Sequence, residues 1–553
     1  MAVEILHDHP QLPKATGPLV LAILDGVGWG PHDDGDAVHR AVKPNLVDLW
    51  NNYPTRTLKA HGKAVGMPSD ADMGNSEVGH NALGAGRVFE QGAALVSDAI
   101  GSGAVFASDT WTWLVQPLRA GGTLHLCGLL SDGNVHAHID HVLATVRQAQ
   151  RDGVRRLRIH ALADGRDVQD PSYEGYLAQL QTVLDEVTAH GCDAAIASGG
   201  GRMAITMDRY EADWSMVQRG WQAHVLGQGE QFPTVQSALQ QLRQRPGGGS
   251  DQTLGAFIIA DAAGPIGRVH DGDAFVLWNF RGDRAMQLCQ CFEHGAQFSA
   301  FDRQFQPEVR FAGMTQYDGD LKLPARFLVQ PPAIDRTMGE FLATRGLRTF
   351  AVSETQKYGH VTYFWNGNRS GVLAPEVERY AEVPSDRLAF DTAPAMKASQ
   401  IIDLVLQALD QQPPFDFVRF NLANGDMVGH TGNLAATVQA METIDTQLGR
   451  LREAIAALGG ILVITADHGN ADDMWMRDSK GRPLLRADGS IVAKTSHTLA
   501  PVPLTIWDSR PAVLWRLRDD LPQAGLANVA ATLFNLLGLI APSDYEPSLI
   551  EPA

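Results

Sequence analysis

Aspartate and histidine residues that could bind metal ions follow several apolar runs of this 553-residue chain. Asp426 and His430 are four residues apart, which places them on one face if the segment is helical. Mixed nitrogen and oxygen ligands suit Mn²⁺, Zn²⁺ or Co²⁺ better than Mg²⁺. Each residue alone is more often structural, as a cap, a salt bridge or a core histidine. Their joint occurrence predicts a site for two divalent ions, with candidate ligands Asp25, Asp426, His430, Asp467, His468 and His497.

Ser76, in the motif Gly-Asn-Ser-Glu at residues 74–77, is a candidate nucleophile. A serine before a helix is most often an N-cap, and that alternative stays open. The functional interpretation uses the same position, because a phosphorylated serine at a helix N-terminus meets N–H groups and a favourable dipole. A metal ion bound to the serine oxygen would make it a nucleophile. Lys357 could neutralise charge on a transferring phosphoryl group, or it could be a solvated surface lysine.

Arginines cluster in turns of the middle segment. Arginine presents a planar fork that binds carboxylate and phosphate with two hydrogen bonds, so convergence would suit a small substrate that carries both groups. Solvated arginines are the alternative. His136 could donate to a substrate oxygen or act as an acid or base. The arginines in question are Arg166, Arg202, Arg209, Arg281 and Arg284.

The elements that would position these residues follow a recurring pattern of a short apolar run, a turn rich in glycine or aspartate, and a helical segment. The runs cover residues 19–24, 123–130, 157–162, 194–197, 275–280, 349–352 and 461–465. Such alternation predicts an α/β fold with parallel sheets, whose ligands bind at the carboxyl ends of the strands. A core-facing helix is predicted over residues 434–458, with Asn433 as its N-cap and Gly459 at its end.

Domain organisation follows from where the candidate residues lie. Length alone predicts about three domains. The candidate metal ligands, however, occur at both ends of the chain, and the arginine-bearing turns lie between them. We therefore expect a metal-binding domain of residues 1–90 and 326–553, with a substrate-binding domain of residues 91–325 inserted into it. Hinges near residues 90 and 325 would let the domains close and keep water from a phosphoserine.

Composition excludes several classes of function. Apolar residues make up 44% of the chain and charged residues 20%, as in ordinary globular proteins. The net charge of −18 disfavours nucleic acid and anionic lipid as partners. The four cysteines lack zinc-ligand spacing and are expected to be buried thiols. Neither a membrane-spanning run nor a secretory signal is evident, so a cytoplasmic location is expected.

The motifs together resemble the cofactor-independent phosphoglycerate mutases of the alkaline phosphatase superfamily. The resemblance implies an alkaline-phosphatase-like domain, with a mostly parallel sheet flanked by helices, and an inserted second α/β domain. Arg209 follows Arg202 by seven positions, where six is commoner, which resembles the plant and trypanosomatid subgroup. The matching segments are residues 25–26, 74–80, 131–136, 164–167, 279–284, 354–358, 424–432 and 465–470.

The resemblance also implies roles for individual residues. One metal ion would be held by Asp426, His430 and His497, and the other by Asp25, Ser76, Asp467 and His468. The residues implied in substrate binding are His136, Arg166, Asp167, Arg202, Arg209, Arg281, Arg284 and Lys357. Those implied in catalysis are Ser76, Lys357, His136 and Arg284.

The activity implied is the interconversion of 3-phosphoglycerate and 2-phosphoglycerate in glycolysis and gluconeogenesis. It would proceed through a phosphoserine and without bisphosphoglycerate, in a monomer that uses two ions, Mn²⁺ first and Co²⁺, Zn²⁺ or Mg²⁺ as alternatives. One other hypothesis is a related metal-dependent phosphomutase or phosphatase that acts on another phosphorylated metabolite. Another is a regulatory protein that binds metal and phosphate without turnover.

Overall fold

The computed structural model describes residues 3–67, 70–90, 92–208, 213–245, 248–295, 297–317, 322–329, 334–478, 480–486 and 488–553. Arg209, one of the predicted substrate-binding residues, lies outside the described residues. The chain folds into two compact units. The first contains residues 1–91 and 333–553, and the second contains residues 92–332. Length alone predicted about three.

The strands, numbered in chain order, are β1 Leu19–Leu24, β2 Thr55–Leu58, β3 Leu124–Leu129, β4 Arg156–Ala163, β5 Asp193–Gly201, β6 Gln231–Phe232, β7 Phe257–Asp261, β8 Gly264–Pro265, β9 Ala274–Leu277, β10 Arg310–Thr315, β11 Phe327–Val329, β12 Thr349–Glu354, β13 Glu378–Val383, β14 Phe417–Leu422, β15 Ile461–Thr465, β16 Val502–Asp508, β17 Trp515–Leu517 and β18 Ile550–Pro552.

The α-helices are α1 Ala37–Arg40, α2 Pro44–Asn52, α3 Ser76–Ala85, α4 Gly92–Gly101, α5 Asp109–Val115, α6 Ile139–Arg151, α7 Tyr173–Ala189, α8 Trp214–Trp221, α9 Val235–Leu242, α10 Met286–Glu293, α11 Met338–Thr344, α12 Thr355–Gly359, α13 Ala398–Leu409, α14 Asn424–Gly429, α15 Leu434–Leu458 and α16 Asn528–Leu536. Short 3₁₀ turns form at Gly62–Val65, Pro117–Arg119 and Phe390–Thr392, and π turns at Gln222–Leu226 and His360–Phe364.

The first unit is built on a sheet with strand order β13-β12-β14-β1-β15-β16-β2. The strands from β13 to β15 are parallel, and β16 and β2 add an antiparallel edge. Every residue of β1 and β15 is buried, as expected for parallel strands that are covered on both faces. The carboxyl ends of β12, β14, β1 and β15 therefore lie side by side along one edge.

The second unit has its own sheet, with strand order β11-β10-β9-β3-β4-β5-β7-β6. The strands from β11 to β5 are parallel, and β7 pairs with β5 in the antiparallel sense. The turns that follow β3, β4, β5 and β9 are the ones in which the sequence places arginines and His136. Both units thus confirm the predicted α/β class with mostly parallel sheets.

Helix α15 has the predicted bounds. The Asn433 side chain accepts a hydrogen bond from the Ala436 N–H, and Gly459 ends the helix at φ +64 in the left-handed region. Met441, Ile444 and other residues of the apolar stripe pack in the core of the first unit. The four cysteines are free and buried, as the sequence predicted.

Glu354 ends β12 inside the core of the first unit and is almost fully buried. Its Oε2 accepts a hydrogen bond of 2.8 Å from the Ser385 hydroxyl. Burial raises the pKa of this carboxyl group from 4.5 to about 7. The folded chain therefore holds the Glu354 proton more tightly than the unfolded chain, and stability contributed by the protonated form is lost as pH rises from about 4.5 to 7.

We expect Glu354→Gln to raise the melting temperature relative to the native chain at pH 8, because it removes an ionisation that favours unfolding by up to about 3 kcal/mol. At pH 4.5 the same variant should match the native chain. Thermal unfolding at the two pH values measures the difference. Glu376→Gln, at an exposed glutamate of the same unit, is the control and should show no such dependence. An equal shift of Glu354→Gln at both pH values would contradict this assignment.

Candidate active site

The predicted metal ligands of the first unit meet at the carboxyl edge of its parallel strands. Asp25 directly follows β1, and Asp467 and His468 follow β15 with one residue between. Asp426 lies in α14, which begins two residues after β14, and His430 follows that helix. Because β14, β1 and β15 are neighbours in the sheet, these side chains are brought together.

Asp426, His430 and His497 point their ligand atoms at one another. Nε2 of His430 is 3.0 Å from Oδ1 of Asp426, and Nε2 of His497 is 3.2 Å from the same oxygen. The two Nε2 atoms are 3.1 Å apart. Asp426 and His430 lie on one face of a helical turn, as their spacing predicted, with the His430 N–H bonded to the Asp426 carbonyl.

Backbone carbonyls fix the orientation of these rings. Nδ1 of His430 is 2.6 Å from the Thr495 carbonyl oxygen, and Nδ1 of His497 is 2.8 Å from that of Gly74. In a neutral imidazole the proton then sits on Nδ1, so that Nε2 directs its lone pair toward Asp426. These three atoms lie within 3.2 Å of one another, so their lone pairs repel unless a cation lies between them. The donor set fits a divalent metal ion.

Asp25, Asp467 and His468 form a second set, whose ligand atoms lie within 4.8 Å of one another. Nδ1 of His468 is 3.2 Å from the Gly469 carbonyl oxygen, and its Nε2 is 3.0 Å from Oγ of Ser76. Oγ of Ser76 is also 3.4 Å from Oδ1 of Asp25. The serine oxygen therefore borders both a carboxylate and an imidazole of this set. These oxygen and nitrogen donors also suit a divalent ion.

Lys357 lies among these residues and is almost fully buried, so the alternative of a solvated surface lysine is wrong. Its Nζ donates hydrogen bonds of 2.7 Å to Asp25 and 2.8 Å to Asp426, and a third to Oγ of Ser76. One ammonium group thus joins the two ligand sets and the serine. The lysine belongs to the first unit, whereas the arginines of the predicted substrate-binding set belong to the second.

The electrostatics of the site reflect burial of several charges at once. Burial raises the pKa of Asp25 well above its usual range, and the nearby Asp467 carboxylate raises it further. Burial also acts to raise the pKa of Asp426, but His430, when protonated, and Lys357 hold it well below its usual range. Burial lowers the pKa of His468 to about 3, which keeps its imidazole neutral at physiological pH. Neutral imidazoles are the form that binds metal ions.

Ser76 is the first residue of α3, and the cap of that helix is its neighbour Asn75. The Asn75 side chain accepts a hydrogen bond of 3.1 Å from the Val78 N–H. The capping alternative for Ser76 is therefore wrong, and its hydroxyl faces the ligand sets. Helix α3 comes close to them because of Gly79, where an added Cβ would lie 2.7 Å from the Asp467 carbonyl oxygen.

Two asparagines that the sequence analysis did not single out also contact the ligands. Asn421, in β14, donates from Nδ2 to Oδ2 of Asp25 at 2.6 Å, and Asn470 donates to Oδ1 of Asp426 at 3.0 Å. Two sequence features could have identified them. Asn421 is a polar residue in a buried strand, and Asn470 belongs to the motif Asp-His-Gly-Asn. Both amides fix the orientation of a candidate ligand.

In the second unit, Asp164 organises the turn after β4. Its Oδ1 accepts 3.1 Å hydrogen bonds from the backbone N–H groups of Arg166 and Asp167, and 2.7 Å from Nη1 of Arg202. Its Oδ2 accepts from the Ser131 hydroxyl at 2.6 Å. Arg202 also bonds the Asp167 carboxylate. The ends of β3, β4 and β5 are thereby tied together.

His136 lies between two carboxylates of the second unit. Its Nδ1 is 3.4 Å from Oδ1 of Asp283, and its Nε2 is 4.0 Å from Oδ2 of Asp167. Burial lowers its pKa well below the usual range, and Arg202 and Arg281 lower it further. The ring is therefore neutral at physiological pH and can both donate and accept a hydrogen bond.

Arg281 and Arg284 of the second unit are also buried. Nε of Arg281 is 3.3 Å from Oδ1 of Asp283. Nη1 of Arg284 donates to the Met207 carbonyl oxygen at 2.9 Å. Arg202, Arg281 and Arg284 all act to lower the pKa of His136, so their guanidinium groups are near enough to influence its ring. A buried cationic cluster of this kind suits a small anion with carboxylate or phosphate groups.

The sequence is similar to a metalloenzyme family and to named phosphoglycerate mutases. A family model described as the metalloenzyme superfamily matches residues 17–541. The chain is 52% identical over 549 residues, 99% of both chains, to the 2,3-bisphosphoglycerate-independent phosphoglycerate mutase of Trypanosoma brucei brucei. It is 50% identical over 551 residues to a probable enzyme of that name from Arabidopsis thaliana, with 99% of this chain and 98% of the relative covered.

The fold is equally close to a solved structure. The crystal structure of Leishmania mexicana phosphoglycerate mutase at low cobalt concentration covers all of both chains, with 49% identity and a TM-score of 0.97. Among the described residues, no helix is long and apolar enough to cross a membrane. The matches extend over nearly the whole sequence, and the buried ligand sets fit divalent metal ions. The chain is a metal-dependent enzyme that belongs to the 2,3-bisphosphoglycerate-independent phosphoglycerate mutases of the metalloenzyme superfamily.

Proposed function

We propose that this chain interconverts 3-phosphoglycerate and 2-phosphoglycerate through a phosphoserine at Ser76, without bisphosphoglycerate. One observation carries the proposal: Oγ of Ser76 lies in contact with His468, Asp25 and the Lys357 ammonium group, inside two ligand sets. A serine oxygen in that position serves as the acceptor of a phosphoryl group.

Two divalent ions, Mn²⁺ in our proposal, would be held by two groups of side chains. Asp426, His430 and His497 form one group, and Asp25, Ser76, Asp467 and His468 form the other. When bound, the ions supply Lewis-acid stabilisation of phosphoryl oxygens and lower the pKa of the serine hydroxyl.

The residues around Ser76 prepare its oxygen for attack. Lys357 donates to Oγ, and His468 places its protonated Nδ1 on a carbonyl, which leaves the Nε2 lone pair 3.0 Å from Oγ and available to a metal ion. The Lys357 ammonium also supplies positive charge beside the phosphoryl oxygens during transfer.

Arginines of the second unit are proposed to retain the glycerate part of the substrate. Oγ of Ser76 forms its bond to phosphorus while the ester bond to one glycerate hydroxyl breaks. The retained glycerate then takes the phosphoryl group back on its other hydroxyl. Arg166, Asp167, Arg202, Arg209, Arg281 and Arg284 are the proposed binding residues, joined by His136. His136, neutral and placed between two carboxylates, is suited to pass a proton to or from a glycerate hydroxyl.

The direct test is conversion of 3-phosphoglycerate in an enolase-coupled assay without bisphosphoglycerate. We expect activity in the native chain, loss of that activity after chelation with EDTA, and recovery when Mn²⁺ or Co²⁺ is returned, because the ligand sets are completed by cations. Activity that is unaffected by chelation would contradict the proposed metal sites. Free phosphate as the main product would show a phosphatase.

Replacing Ser76 tests the covalent step. Ser76→Ala should lower kcat by at least about a thousandfold, because the acceptor oxygen is lost. Native enzyme quenched during turnover should carry one phosphoryl group on the peptide that contains Ser76, as measured by mass spectrometry. Ser543→Ala, at an exposed serine of the same unit, should retain native activity. Native turnover by Ser76→Ala would exclude the phosphoserine.

A further inference from the structure

A chain of buried polar side chains crosses the second unit. All its members are almost fully buried, and each is within hydrogen-bond distance of the next. The five links are 3.3, 3.0, 2.7, 2.7 and 2.9 Å long in order. The members, in order, are Asp273, His125, His160, Ser198, His224 and Thr206.

The carboxylate at one end sets the direction of every proton in this chain. Burial acts to raise the pKa of Asp273, but hydrogen bonds from His125 and from the His270 N–H hold it below its usual range, so it is ionised and only accepts. His125 therefore donates from Nε2, and its Nδ1 accepts from Nε2 of His160. Burial lowers the pKa of both imidazoles, so each carries a single proton.

The hydrogen-bond directions from His160 to Thr206 follow in the same way. Nδ1 of His160 accepts from the Ser198 hydroxyl, which in turn accepts from Nδ1 of His224. Burial lowers the pKa of His224 to about 3, so its Nε2 carries a lone pair that accepts from the Thr206 hydroxyl. The rings contact one another in series, with the two nitrogens of His160 on different neighbours, so they do not form a convergent metal site.

Thr206, the last donor, adopts a backbone conformation that a β-branched residue seldom takes. Its φ is +69, in the left-handed region. Such a conformation persists only where the surroundings impose it. Two contacts do so here: the bond to His224, and close packing on Gly220, where an added Cβ would lie 2.2 Å from Oγ1 of Thr206.

The bend at Thr206 lies between two arginine contacts. Four residues earlier, Arg202 bonds Asp164 and Asp167. One residue later, the Met207 carbonyl accepts from Arg284. A change at residue 206 therefore moves the backbone that sets the spacing of these two guanidinium groups.

We propose that Thr206 is a positioning residue of the arginine cluster, held in its left-handed bend by the one-directional hydrogen-bond chain from Asp273. The proposal rests on the proposed function, in which the arginines bind phosphoglycerate. Thr206 does not touch the substrate in this proposal, and it acts through Arg202 and Arg284.

Thr206→Val removes the hydroxyl with little change in shape, and Thr206→Ser retains it. We expect Thr206→Val to raise KM for 3-phosphoglycerate about tenfold while kcat changes by less than about twofold. Thr206→Ser should stay within about twofold of the native enzyme in both. The binding of 3-phosphoglycerate to each protein, measured by calorimetry, should follow KM.

Gly220→Ala is an independent variant, since its added Cβ displaces Thr206 from the opposite side, and it should raise KM in the same way. Gly175→Ala is the matched control, because a Cβ on that helical glycine of the same unit meets no atom within 4 Å. If Thr206→Val does not fold, Gly220→Ala decides.

The outcomes separate the two proposals. A native enzyme that neither binds nor converts 3-phosphoglycerate would overturn the proposed function. A native enzyme that does both, with Thr206→Val or Gly220→Ala unchanged in KM and binding, would overturn the positioning role alone. Equal KM values for Thr206→Val and Thr206→Ser would also overturn it.

Discussion

Burial of like charges is the constraint on which the first unit depends. Asp25, Asp426 and Asp467 are almost completely buried, and Lys357 is the ammonium group that joins two of them. Burying a carboxylate without a partner is costly, so the arrangement is stable only where cations balance it. The lone pairs of the histidine side chains face the same carboxylates and also require cations. Affinity for divalent cations is therefore a consequence of how the parallel strands end together, rather than of any single residue.

The second unit buries positive charge instead of negative charge, also on a mostly parallel sheet. Its parallel strands also end in one row, but there the buried groups are guanidinium ions, held in place by Asp164, Asp167 and Asp283. Partial neutralisation fixes the arginine side chains before any ligand binds, which lowers the entropy lost on binding an anion. The two units thus bury opposite charges on mostly parallel sheets: the first buries carboxylates, and the second buries guanidinium groups.

Local patterns predicted the parts of the fold that depend on local structure. Continuous apolar runs gave β1 and β15 their observed bounds, and the cap at Asn433 and the glycine at 459 gave those of α15. Parts that depend on strand pairing escaped prediction. His160 lies opposite Ser198 only because the register of β4 and β5 shifts after Ile159. Asn421 reaches Asp25 because β14 and β1 are neighbours in the sheet. The two strands are far apart in sequence, so their pairing could not be predicted from local patterns.

We predict that two cations complete the buried carboxylate and imidazole sets around Ser76. Anomalous diffraction from crystals grown with Mn²⁺ tests it most directly. We predict two anomalous peaks in each chain, one bound by Asp426, His430 and His497, and the other by Asp25, Asp467 and His468 with Oγ of Ser76 in contact. A single peak, or peaks remote from the serine oxygen, would contradict it.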